Sequence, residues 1–116
     1  MADRTQSNTS PEELKQQKDY LSEMAEEDRR ALTWVMSDPR GRWFVWRLLD
    51  KTHVFTPTWD HSGSMMAKKA GMQEWGLTIL HSLWDTCVIE YHKMQAEYLK
   101  HREMMKAKYP PKTKET

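Results

Sequence analysis

The stretch that decides the fold runs from Leu77 to Met105, LTILHSLWDTCVIEYHKMQAEYLKHREMM. In it Leu77, Leu80, Trp84, Cys87, Tyr91, Met94, Tyr98, His101 and Met105 follow one another at steps of three and four. A period of about 3.5 residues kept over about four heptads marks a helix that packs lengthwise against other helices. Ile79, Leu83 and Val88 widen the stripe in the first half only. That half reads as core, and the second half as a narrower seam. Pro110-Pro111 stops the helix, which the pattern predicts over 65–108 as a rod of about 65 Å if unbroken. Gly71 and Gly76 interrupt it, each at a cost of about 0.8–1.0 kcal/mol relative to alanine. Gly76 sits inside the apolar pattern and reads as the close approach of another backbone or an aromatic ring. Gly71 marks either a second approach or a break.

Working back along the chain, Ser37-Asp38-Pro39 ends one helix and opens another. Asp38 can cap, and Pro39 is at home in the first helical position. The helix predicted over 39–52 carries a compact apolar face of Phe44, Val45, Leu48 and Leu49, broadened by Trp43 and Trp46. Arg40, Arg42 and Arg47 mark its polar side. Residues 53–64 read as a loop that Phe55 and Trp59 pin to the helices. Further back, Ser10-Pro11-Glu12-Glu13 has the form of a capping box. From it Leu14, Leu21, Met24, Asp28, Ala31 and Val35 trace one stripe along a helix over 11–36. The fold class is therefore all-α, a bundle of helices at 11–36, 39–52 and 65–108. A disordered lead is expected over 1–9, a single helical domain over 10–109 and a basic tail over 110–116. The expected core gathers Phe44, Leu48, Leu49, Trp75, Gly76, Leu77, Leu80 and Trp84.

Composition narrows the function classes. Of 116 residues 30% are charged and 38% apolar, a balance more polar than ordinary globular chains. No run of about 18 apolar residues exists, so no membrane-spanning helix is expected. The first residues carry no apolar stretch of the kind a secretory signal needs. One cysteine makes neither an internal disulfide nor a cysteine-based zinc site. The net charge of +1 speaks against a protein held to nucleic acid by phosphate neutralisation. The charge is unevenly spread, with a net of −3 over residues 1–30 and +4 over residues 93–116. An acidic front and a basic tail can meet head to tail, and the tail can touch DNA or a membrane surface.

Catalytic and metal signals are weak. No two of His53, His61, His81, His92 and His101 stand three or four apart. His81 with Asp85 and Glu97 with His101 supply two ligands each, short of the three or four a zinc site needs. Cys87 lies on the apolar stripe and reads as a small buried hydrophobe. No enzyme, cofactor or metal is expected. The unusual feature is aromatic content: six tryptophans between Trp34 and Trp84, with nine methionines in the chain. Large side chains can build a small core, and Trp, Tyr and Met also dominate interface cores. The narrow seam of Tyr91, Met94, Tyr98, His101 and Met105 is the candidate interface. A homo-oligomer would cover it, unless the first helix covers it within one chain.

A resemblance adds to this reading. The stretches Ser37–Leu49, Val54-Phe55 and Ala70–Leu77 resemble a small all-helical domain family found among structural proteins of short-tailed, podovirus-type bacteriophages. The matching positions are Gly41, Arg42, Leu48, Leu49, Phe55, Gly71, Gly76 and Leu77, over about residues 35–100. Gln73 stands where that pattern has a basic residue. The resemblance implies a virion protein without catalysis, made in the bacterial cytoplasm. Its partners would be portal, capsid or tail proteins, and it would either stay in the particle or leave with the genome as an ejection protein. The alternative is a host-directed binding module acting on a bacterial protein or DNA.

Overall fold

The computed structural model describes residues 10–112 of the chain. Four helices follow in order: α1, Pro11–Met36; α2, Pro39–Lys51; α3, Gly63–Thr86; and α4, Val88–Lys108. Among the described residues there is no strand. The lead expected over 1–9 and the end of the tail at 113–116 lie outside the described residues. Where the sequence reading gives one domain over 10–109, contacts group the residues into two units that divide after Leu32.

The first unit, described from Ser10 to Leu32, is a single helical stretch with the expected capping box. The Glu13 amide donates to Ser10 Oγ (3.1 Å), and the Ser10 amide donates to Glu13 Oε1 (3.0 Å). Leu14, Tyr20, Leu21 and Met24 all lie exposed. Arg29 and Arg30 pair along the helix with Glu26 and Glu27.

The second unit holds the last turn of α1 with α2, α3 and α4. Asp38 caps α2 by accepting from the Arg40 amide (2.8 Å), with Pro39 in the first helical turn. A β-carbon at Gly41 would overlap the Val35 carbonyl, so glycine lets α2 begin this close to the end of α1. α2 ends in a paired closure in which the Val54 amide reaches Leu49 O and the His53 amide reaches Asp50 O. That Schellman arrangement calls for a left-handed residue, and His53 supplies it at φ 61°. Ser62 caps α3, accepting from the Met65 amide, so this helix begins two residues earlier than expected.

The expected rod over 65–108 is two helices. Cys87, at φ −145° and ψ 61°, separates α3 from α4. No glycine or proline marks the spot. Thr86, Cys87, Val88 and Ile89 are four consecutive weak helix formers, three of them β-branched, which lowers the cost of leaving the helix there. α2 packs against both α3 and α4. The core is Met36, Val45, Trp46, Leu49, Leu80, Leu83, Cys87, Tyr91 and Met94.

Candidate functional site

The contact that sets α2 against α4 is ionic at its centre and aromatic around it. Arg42, on the buried face of α2, has a side chain only 6% exposed. Its Nε donates to Glu97 Oε1 (2.9 Å) and its Nη2 to Glu97 Oε2 (2.8 Å), a bidentate fork. The third nitrogen, Nη1, donates to Met36 O at the C-terminal end of α1 (2.8 Å). One guanidinium therefore ties three helices of the second unit. The Glu97 carboxyl is held below its usual range, chiefly by the hydrogen bond from Arg42, and Arg42 is correspondingly raised.

Rings stack beside this pair. Trp46 lies between Phe55 of the loop (centroids 5.0 Å apart) and Tyr98 of α4 (4.9 Å). Trp43 stacks on Tyr98 at 5.6 Å and stands 4.6 Å from His101. Each such pair contributes about 0.5–1.5 kcal/mol beyond the area it buries. Between them opens a cleft of about 240 Å³, lined by Pro39, Trp43, Trp46, Met94, Tyr98 and His101.

The loop is fixed from α3. Gln73 Nε2 donates to His53 O (2.7 Å) and Thr56 O (3.2 Å). A basic side chain at this position would offer the same donor chemistry, which gives the substitution Gln73 a physical account. Asp60 accepts from the Ser62 amide and from Lys69 Nζ, both at 2.9 Å. These bonds, the Ser62 amide first, lower its carboxyl below the ordinary value. Gly76 faces Thr52 and Val54, where a β-carbon would collide with the Thr52 side chain. The atoms nearest to Gly76 are thus the Thr52 and Val54 side chains at the end of α2, and not the backbone or aromatic ring expected.

The expected core needs correction at three positions. Leu49, Gly76 and Leu80 are buried, and Leu48 and Leu77 half-buried. Phe44, Trp75 and Trp84 are 61%, 57% and 47% exposed. On α2 the buried set is Arg42, Val45, Trp46 and Leu49, because the Arg42 fork turns that face inward and leaves Phe44 outside. On α3 the inward line is Gly76, Leu80, Leu83 and then Cys87, one position away from the line through Leu77 and Trp84.

The candidate seam is corrected too. Tyr91 and Met94 are buried within the chain, and Tyr98 and His101 lie half-buried under Trp43 and Trp46. Only Met105 of the five is exposed. Beyond the break at Cys87, α2 packs against α4 and covers the first half of the seam.

Burial raises the Cys87 thiol, with Glu90 adding to the rise, which works against a thiolate. Burial also raises Tyr91. Arg42 and Glu97 satisfy each other. Among the described residues no three His, Cys, Asp or Glu side chains come together as metal ligands, and no helix is long and apolar enough to cross a membrane.

The sequence model of a family described as Bbp19-like phage protein matches residues 32–96, more than half of the chain. The chain belongs to this phage protein family. No curated protein and no solved structure matches it. The family segment takes in α2, the aromatic loop, α3, the Cys87 break and the start of α4. Gly41, Arg42, Gln73 and Gly76 all fall inside it, and Glu97 stands one residue beyond.

Proposed function

We propose that this phage protein is a non-enzymatic structural component of the particle of a short-tailed phage. It assembles by helix packing, with copies of itself and with portal, capsid or tail proteins, inside the capsid or at the portal and tail. Release with the genome as an ejection protein is compatible with that place. The observation that carries the reading is where the tryptophans lie. Trp34, Trp43, Trp59, Trp75 and Trp84 are each at least 40% exposed, and Trp46 alone of the six is buried. Large aromatic side chains left on the surface of a small helical unit mark contact surfaces. The paired ions, the raised thiol and the stacked rings support a rigid joint and favour no reaction. The test is a phage carrying a nonsense codon at Trp43, grown in a host that does not suppress it. Normal genome replication with defective or non-infectious particles is expected. Normal yields of infectious particles would overturn the reading.

A further inference from the structure

Two surfaces outside the family segment are apolar, exposed and opposite in charge. The first lies on α1 between Pro11 and Leu32. Leu14, Leu21 and Met24 are 53%, 60% and 48% exposed on one stripe, and Asp28 continues that stripe. Seven acidic and four basic residues stand in that stretch. Helices draw most of their stability from packing an amphipathic face, and this face is uncovered.

The second surface is the far end of α4. Tyr91, Met94, Tyr98 and His101 run down the side that α2 and its rings cover. One turn further the same line continues through Met105 and Lys108, with Met104 and Tyr109 beside it. Met104, Met105 and Tyr109 are 59%, 40% and 63% exposed. Between Leu99 and Lys112 there are five basic residues and one acidic residue, Glu103. Lys106 reaches toward Glu103 only at 3.8 Å, across an exposed pair.

We infer that the acidic stripe of α1 from one copy seats on the distal α4 seam of the next. The partner is a second copy of this chain because the charges are complementary. A stripe with Asp28 on it meets a seam with Lys108 on it, with Arg102 flanking the seam and Glu27, paired along its own helix with Arg30, flanking the stripe. Like surfaces would set acid against acid or base against base, which opposes a symmetric pairing of either one. Joining two different surfaces is a heterologous contact. It closes a ring or extends a filament, so each added copy presents the same two faces again. The inference rests on the assembly reading above and names its surfaces.

Sedimentation equilibrium of the full chain tests it. Wild-type protein should form species above 13.9 kDa at micromolar concentration. Their apparent Kd should weaken roughly tenfold or more between about 0.1 M and about 1 M salt, as the screening length falls from about 10 to about 3 Å. The variant Glu27→Lys with Asp28→Lys and the variant Arg102→Glu with Lys108→Glu should each sediment as monomers. An equimolar mixture of the two should regain the assembly, because each reversed surface then finds its complement. A monomeric wild type, reversal variants that still associate, or a mixture that stays monomeric overturns the contact. Cross-linking needs no variant. In an equal mixture of nitrogen-14 and nitrogen-15 wild-type chains, links between the 11–32 and 99–112 peptides should carry mixed labels. Links of a single label only overturn it. An assembling chain that is absent from particles leaves this contact standing and removes the virion reading. A monomeric chain present in particles does the reverse.

Discussion

Replacing Glu97 by glutamine removes the counter-charge of a guanidinium whose side chain is 6% exposed. The change keeps the size of the side chain and one acceptor oxygen. It also turns an NH2 group toward an Arg42 N–H, so one of the two fork bonds becomes donor against donor. Breaking a fully buried pair by removing one partner costs about 3–5 kcal/mol. Glu97 is 42% exposed, so water screens part of the interaction, and about half that range, near 2 kcal/mol, is expected. For a unit of this size that is on the order of 10 °C in Tm. Urea unfolding followed by circular dichroism at pH 7 measures it. The pH dependence follows from the lowered Glu97 carboxyl. A carboxyl whose folded value lies below its unfolded value of about 4.3 stabilises above that value, and the contribution disappears as pH falls through the folded value. The gap between wild type and Glu97→Gln should therefore be full at neutral pH and shrink in acid below about pH 4. A gap under about 0.5 kcal/mol at pH 7, or one that stays constant into strong acid, would refute the account of the joint.

The glycines separate cleanly. Gly71 has open space around its β position, so Gly71→Ala should stabilise by up to about 1 kcal/mol, whereas Gly41→Ala and Gly76→Ala should destabilise through collisions with the Val35 carbonyl and Thr52. Thermal unfolding of the three variants reads the difference in sign. Leu83 is fully buried, and Leu83→Ala should cost about 2–5 kcal/mol in the same assay. His53 sits at φ 61°, so His53→Gly should relieve a left-handed strain of about 1 kcal/mol and raise the melting temperature. An unchanged or lower value would show that the His53 side chain contributes more than its backbone costs.

What the chain makes legible is local. Ser10, Asp38 and Pro39 act within one helical turn of themselves, so their caps are readable where they stand, and Pro110-Pro111 closes α4 in the same way. The break at Cys87 carries no punctuation residue. Its only trace is the cluster of weak helix formers from Thr86 to Ile89, which a continuous heptad overrides in any reading by period. The inward face of α2 is hidden for a different reason. Trp43, Phe44, Val45, Trp46, Leu48 and Leu49 leave almost every direction apolar, so periodicity cannot choose among them. The choice is made by Arg42, whose partner is 55 residues away, and an arginine on an otherwise apolar helix reads as its polar edge. The Gly41-Arg42 pair in the family-like motif was the available signal. The seam of α4 is legible as a stripe, but its cover by α2 is a contact between residues far apart in the chain, which periodicity does not report.

A working part of the phage particle has to be found in the particle, so particle composition is the decisive measurement. Quantitative mass spectrometry of purified particles should find the 13.9 kDa chain at many copies per particle, at a fixed ratio to the portal protein. Particles that are complete and infectious yet lack the chain would exclude it from the structure of the particle.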